Sequence, residues 1–333
     1  MAMRSLVTVF GGSGFIGRYT VRALANAGHR IRVCVRRPNL AIYLPPMGHV
    51  GQIQLVRTNV TDPQAVEAAL RGADAAVNLV GILYETGRQR FQSLHAEAAA
   101  NIGAAAQRAG VRRLVHVSAL GANPESTSSY ARTKAEGEER VRQAFSAATI
   151  LRPSIVFGPE DRFFNRFAAL ARISPVLPLI GGGRTRFQPV YVGDVAEAVL
   201  KCISSEQASL RLYELAGPKT YTFREILELI LAETHRRRLL VPISFSLAAA
   251  KATVLGLLPK PLLTRDQVEL LKHDNVAESG APGFANLGIR PETVESIIPN
   301  YLWRFRREGQ FEQVPPADTV GYGPSTSPRT LSS

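Results

Sequence analysis

The feature that most constrains this chain is a glycine-rich turn, Gly11-Gly12-Ser13-Gly14-Phe15-Ile16-Gly17, set between an apolar run, Leu6 to Phe10, and a stretch with helical spacing, Phe15 to Ala27. Glycines in this pattern say little alone, but a strand before them and a helix after them make a dinucleotide-binding fingerprint. Gly11 permits the tight turn, Gly14 lets a pyrophosphate approach the backbone, and Gly17 lets the helix pack close on the strand. The phosphates then lie on unbonded N–H groups at the helix N-terminus.

The rest of the first half fits that start. Strand-like runs at Ile31 to Val35, Ile53 to Val56, Ala75 to Leu79, Leu114 to Ser118 and Thr149 to Leu151 alternate with helical patterns at Pro63 to Leu70, Phe91 to Ala109 and Tyr130 to Ala144. Such alternation predicts an α/β fold, a Rossmann-like doubly wound parallel sheet, here with a smaller, mainly helical C-terminal lobe. Residues 1–152 are expected to form the nucleotide domain, completed by segments near 187–217 that include a last strand at Leu212 to Ala216. Residues 153–186 and 218–313 are expected to form the smaller lobe facing substrate or partner, and helical patterns return at Val192 to Ser204 and Phe223 to His235. The Pro-, Ser-, Thr- and Gly-rich end, 314–333, is expected to be a disordered tail.

Arg36 and Arg37 follow the second strand directly. An NAD enzyme places a carboxylate there for the ribose hydroxyls, whereas a guanidinium pairs with a 2′-phosphate, so the expected cofactor is NADP(H). Asn59 and Val60 at the end of the third strand, and Asn78 to Gly81 at the end of the fourth, should border the adenine and ribose, and Pro153 is included in the same groove. Two cysteines, Cys34 and Cys202, are too few and too poorly placed for a disulfide framework or a metal site, and both read as buried, inert thiols. No metal is expected.

Ser118 closes the fifth strand, and Tyr130 and Lys134 stand four residues apart on the next helix. Tyr and Lys at that spacing share a face, so the ammonium is expected to lower the phenol pKa and to bond the nicotinamide ribose, while Ser118 orients a carbonyl or hydroxyl. With the glycine turn, this set resembles the short-chain dehydrogenases/reductases. Within that superfamily Phe10 to Arg18, Leu44-Pro45-Pro46-Met47-Gly48-His49-Val50-Gly51-Gln52, Asn78 to Gly81 and Phe157-Gly158-Pro159-Glu160-Asp161-Arg162-Phe163 resemble an atypical branch, the NADPH-binding accessory subunits of respiratory complex I. The resemblance implies firmly bound, structural NADP(H) and other complex I subunits as partners. Two departures from the catalytic pattern stand out: His95, with Asn101 further along, where active members carry an asparagine for a proton-relay water, and Asn59 where they carry an acid. The Ser118, Tyr130 and Lys134 set is therefore open to two readings, a working reductase, epimerase or dehydratase site on a quinone or isoprenoid precursor, or a retained site that grips the ribose without chemistry. An NADP(H)-sensing regulator is a third class.

A formal charge of +13 draws acidic partners of any kind. The basic residues are dispersed and match no nucleic-acid module, so nucleic acid is not expected. The apolar stretch Leu239 to Leu258 is broken by Pro242, Lys251 and Gly256 and ended by Pro259, which argues against a spanning helix. Arg236-Arg237-Arg238 before it, Lys260 after it, and Trp303-Arg304-Phe305-Arg306-Arg307 suit anionic lipid headgroups, either around an in-plane helix or as solvated flanks of a buried one. No signal peptide is expected ahead of the first strand, and the expected place is the cytoplasmic face of a bacterial inner membrane, held peripherally.

Overall fold

The computed structural model describes residues 5–205, 212–256, 261 and 263–311 of the chain; the expected tail and Lys260 lie outside them. Its centre is a parallel sheet of seven strands: β1 (Leu6–Phe10), β2 (Arg30–Val35), β3 (Ile53–Arg57), β4 (Ala75–Asn78), β5 (Arg113–Val117), β6 (Thr149–Pro153) and the strand Leu212–Leu215. Across the sheet the order is Leu212–Leu215, β6, β5, β4, β1, β2, β3. The chain winds outward from β1 to β3, then returns to lay β4 on the other side of β1, with Phe10 beside Asn78. That reversal opens a crevice beyond the carboxyl ends of β1 and β4, which is where a doubly wound sheet binds its ligand.

Both faces of the sheet are covered, so its strands are apolar on both sides. Val7 and Val9 of β1 pack beneath α1 (Phe15–Asn26) and α6 (Val192–Ser204). Phe10 turns to the other face, under α2 (Pro63–Leu70), α3 (Ala98–Arg108) and α4 (Ser129–Ala144). Helix α2 starts where expected because Pro63 is pre-set for its first turn and the Asp62 carboxylate accepts from the Gln64 and Ala65 N–H groups. Helices α3 and α4 approach closely through alanines and Gly137, whose missing Cβ would stand 2.1 Å from the His95 carbonyl oxygen. The turn before α3, Gln92–Glu97, is π-helical and carries His95.

A second core fills the remaining lobe, with Phe157, Phe164, Leu177, Leu179, Phe223, Ile230 and Leu302 at its centre. It joins α5 (Phe164–Ile173), α7 (Phe223–Glu233, opened by a Thr222/Glu225 capping box), α8 (Phe245–Leu255) and α9 (Arg265–Leu270). The apolar stretch after Leu239 is not one helix. Leu239–Ile243 is a strand paired in parallel with Val176–Ile180, and α8 begins only after Ser244 caps it through the Leu247 N–H. Pro242 fits a strand that pairs along one edge and cannot continue a helix. Among the described residues no helix is long and apolar enough to cross a membrane.

Candidate functional site

The crevice is floored by the glycine turn. Gly11 has φ +80°, a left-handed conformation that favours glycine, and the turn closes with the Gly14 N–H donating to the Gly11 carbonyl at 3.0 Å. A Cβ on Gly17 would lie 2.3 Å from the Gly11 oxygen, and one on Gly12 2.6 Å from Val33 Cγ1, so both positions are closed to any other residue. Gly14 differs, since a Cβ there would meet only the Gly11 oxygen at 3.2 Å and otherwise project into open space. Gly14 is also the N-cap of α1 and carries no capping side chain, which leaves the first-turn N–H groups around Phe15 and Ile16 available to an anion. Two residues not anticipated from the sequence frame the turn. The Tyr43 hydroxyl donates to the Ser13 carbonyl at 2.8 Å with the Arg18 guanidinium 5.0 Å from its ring, and Glu160 of the C-terminal lobe receives Arg18 (3.3 Å) and the Tyr19 hydroxyl (2.8 Å).

At the adenosine end Arg36 and Arg37 are exposed, and neither has an ion-pair partner among the described residues. The Asn59 side chain is exposed and accepts from the N–H and hydroxyl of Thr61, and the Val60 carbonyl accepts from Asn101 Nδ2 at 3.5 Å. Asn101 thus braces the loop after β3 instead of standing in for the missing asparagine. Asn78 departs from the expected border of the ribose. Its side chain is buried, Nδ2 donating to His116 Nδ1 at 3.0 Å and Oδ1 accepting from the Val80 N–H, so it shapes the floor from behind. Gly81 stands in front, with Lys134 Nζ 3.3 Å from where its Cβ would be. Pro153 ends β6, buried, its carbonyl accepting from the Leu120 N–H.

At the other end Tyr130 packs its ring against His95, Lys134 and His95 both approach Gly81, and Ser118 follows the Val117 carbonyl that Lys134 bonds. Lys134 is buried, donates to the Val117 carbonyl at 3.2 Å, and is pulled down by that burial to about 8, with Glu138 opposing. Glu138 itself is neutralised by Arg152, which grips both its oxygens at 2.9 and 2.8 Å. His95 accepts the Ile82 N–H at Nε2 and donates from Nδ1 to Thr133 Oγ1, whose own proton goes to the Ser129 carbonyl. Burial, with the nearby Lys134 charge, holds the imidazole neutral, near 2. His116, behind it, is likewise pushed down to about 3. Ser118 Oγ and His116 Nε2 are buried with no hydrogen-bond partner among the described residues.

The phenol of Tyr130 contradicts the expected activation. Loss of solvent beside the Phe91 and His95 rings, 5.9 and 5.3 Å away, raises it, and the Asp266 carboxylate raises it further, to about 12. Lys134 bonds the Val117 carbonyl and makes no hydrogen bond to the phenol that would counter them. Asp266 arrives from α9 in the C-terminal lobe and sits on the N-terminus of α4, accepting from Ser128 Oγ (2.8 Å), the Ser129 N–H (2.7 Å) and the Tyr130 N–H (3.3 Å). A carboxylate is well placed for the helix dipole but badly placed for ionising the adjacent tyrosine. Cys34 and Cys202 are buried and raised to about 11 and 12 by burial, as inert thiols should be. Among the described residues no group of three His, Cys, Asp or Glu could hold a metal.

A parallel sheet with a glycine turn at its switch point and a Ser-Tyr-Lys set facing it defines a class, and the chain belongs to the NAD dependent epimerase/dehydratase family, whose profile matches residues 7–216. Within that class its relatives include the NADH dehydrogenase [ubiquinone] 1 alpha subcomplex subunit 9 of Mus musculus, 33% identical over 95% of this chain and 86% of the relative. The NADH-ubiquinone oxidoreductase 40 kDa subunit of Neurospora crassa is also 33% identical, over 93% of this chain and 82% of its own. A ceramide reductase of Caulobacter vibrioides is 32% identical over 67% of this chain and 69% of its own. Among solved structures, an NADPH-dependent quinone oxidoreductase from Escherichia coli shares the fold with TM-score 0.69 at 22% identity, over 87% of this chain and 98% of its own. A dTDP-glucose 4,6-dehydratase from Streptomyces venezuelae shares it with TM-score 0.68 at 19% identity, over 91% and 97%.

Proposed function

We propose that this chain is an accessory subunit of NADH:ubiquinone oxidoreductase, respiratory complex I, in which NADP(H) is a structural element and the subunit stabilises the junction of peripheral arm and membrane. The observation that carries the reading is similarity to complex I subunits along nearly the whole chain rather than across the nucleotide domain alone. The site supports it. The glycine cradle, the room for a close approach at Gly14 and the buried Ser118 Oγ without a partner among the described residues fit a nicotinamide dinucleotide. Arg36 and Arg37, exposed and without ion pairs among the described residues, favour a 2′-phosphate and hence NADP(H). The bound group would bring a hydride-carrying ring. Toward it Lys134 would offer an ammonium that an anionic ligand would keep protonated, Ser118 a hydroxyl, and Tyr130 a phenol held neutral. These groups can hold a ribose and a carboxamide, but the phenol that would move the proton is held at about 12.

Peripheral attachment to the cytoplasmic face of the inner membrane, through anionic lipid, belongs to the same proposal. Arg236 donates to the Phe305 carbonyl and Arg306 to that of Glu233, so the two basic segments meet on the C-terminal lobe. Nearby, Arg238 bonds the Ala171 carbonyl beside exposed Ile173, Val176 and Leu239. Aliphatic side chains rimmed by arginine are the composition of an interfacial surface.

The test is to solubilise native membranes mildly and ask whether the chain co-migrates with in-gel NADH dehydrogenase activity through moderate salt. Migration only as a small separate species would overturn the assignment. A second reading, an independent NADP(H)-dependent reductase, epimerase or dehydratase, draws on the intact Ser118, Tyr130 and Lys134 and on the ceramide reductase relative. It requires a turnover that Tyr130→Phe abolishes while the fold survives.

A further inference from the structure

Two buried polar atoms without a partner stand on one face of one strand. The β5 ladder continues past Val117, because the Ser118 N–H donates to the Leu151 carbonyl of β6 at 2.8 Å, so the side chains of His116 and Ser118, two residues apart, leave the sheet on the same side. It is the side on which Leu114, in the same alternation, packs with Ile150 and with Val141 of α4. His116 is 1% exposed and Ser118 4%, and neither His116 Nε2 nor Ser118 Oγ has a hydrogen-bond partner among the described residues. Residues two apart on a strand have α-carbons about 7 Å from each other, and the side chains shorten the gap to what one small molecule bonded at about 3 Å to each can span.

The place of the imidazole proton decides what fits there. The Val80 N–H donates to Asn78 Oδ1 at 3.0 Å, which fixes the amide, so Asn78 Nδ2 donates to His116 Nδ1, also at 3.0 Å. An Nδ1 that accepts carries no proton, and burial keeps the ring neutral, so its one proton is on Nε2. His116 therefore presents a fixed N–H donor. The Lys134 ammonium, bonded to the carbonyl of Val117 between the two residues, adds positive charge nearby. Such a place rejects a cation and asks for an acceptor, and water supplies that together with a proton for Ser118.

We propose that one water is bound between His116 Nε2 and Ser118 Oγ, and that through it His116 is a positioning residue for Ser118. The imidazole donates to the water and the water donates to Ser118 Oγ. The hydroxyl's own proton then points away from His116, toward the carboxyl end of the sheet and the crevice, which makes Ser118 a donor suited to a carbonyl or carboxamide oxygen. Behind His116 the chain of bonds ends on the Asn78 amide and the Val80 N–H, so it orients a hydroxyl and carries no proton. The inference deepens the nucleotide reading of the site, and only its effect on NADPH rests on that reading.

The experiment uses the full chain with isotope-labelled histidine, free of nucleotide, followed by NMR. The expected result is a His116 ring protonated at Nε2 alone, with that proton in contact with a long-lived water, and Ser118→Ala should remove the water contact while leaving the Asn78 bond and the tautomer in place. In titrations, His116→Phe and Ser118→Ala should each weaken NADPH by about tenfold, the double variant should be no worse than either, and His116→Gln, which keeps an N–H near the Nε2 position, should recover most of the loss. A proton on Nδ1, an Nε2–H without a water contact, or additive losses in the double variant would overturn the proposal. If His116→Phe fails to fold, the wild-type and Ser118→Ala spectra still decide. If the wild type does not bind NADPH, the nucleotide reading falls, and the water site stands or falls on the spectra alone.

Discussion

The two ends of the nucleotide crevice are built on different terms. At the glycine turn every constraint is steric and local: Gly11, Gly12 and Gly17 are fixed by contacts within one strand, one turn and one helix, and the surface they make is open and basic. At the Ser118, Tyr130 and Lys134 end the groups are buried, and their protonation is set first by that burial and then by carboxylates, Glu138 one turn along the same helix and Asp266 from the other lobe. The first end is a bare backbone cradle; the second carries the residues of a reductase but holds its phenol at about 12, away from the range for acid–base work at neutral pH. The difference teaches that a retained constellation is not a working one unless its electrostatics are retained as well.

That contrast can be attacked from either side. The largest effect should come from Gly17→Ala, whose Cβ must displace backbone at 2.3 Å; it should abolish NADPH binding and cost more than about 3 kcal/mol of stability, read by fluorescence titration and thermal melting. Lys134→Met should weaken NADPH by about a hundredfold, yet stabilise the nucleotide-free protein by on the order of 1–3 kcal/mol, because a desolvated ammonium is removed. Loss of both affinity and stability in calorimetry would show that Lys134 contributes to the fold itself.

The pH dependence sharpens the same point. Folding lowers Lys134 from 10.5 to about 8, so the cost of its buried charge is fully present below about 8 and disappears as pH rises toward 10.5. Nucleotide-free protein should therefore gain stability over that window. NADPH needs the ammonium, so its affinity should be flat below about pH 8 and fall by up to tenfold per unit above it. The smallest effect is expected of Asp266→Asn: the phenol titration followed by tyrosinate absorbance should move below about 12, with a stability loss of about 1 kcal/mol from the weakened cap. An unmoved titration would assign the raised phenol to burial alone.

Much of this was legible in the sequence, and what was not has a common cause. The strands from β1 to β6 and the glycine turn could be read because apolar periodicity and turn chemistry are local. Tyr43, Glu160 and Asp266 could not: Asp266 meets Tyr130 across 136 positions, and no motif announces a carboxylate sent from one lobe to cap a helix in the other. Its place at a strand end puts Asn78 at the border of the adenine and ribose, but no local pattern tells that His116 on the neighbouring strand captures its side chain. The run from Leu239 was read as a helix because its apolar content suits one, whereas Val176–Ile180 offers it a strand partner that sequence spacing does not reveal.

The most direct measurement is the nucleotide content of the native complex. Complex I isolated with this subunit should release about one NADP(H) per chain on denaturation, and that nucleotide should remain unchanged in redox state through turnover with NADH and quinone. A complex lacking NADP(H), or one in which the bound nucleotide is oxidised and reduced during turnover, would contradict a structural cofactor held at a silent site.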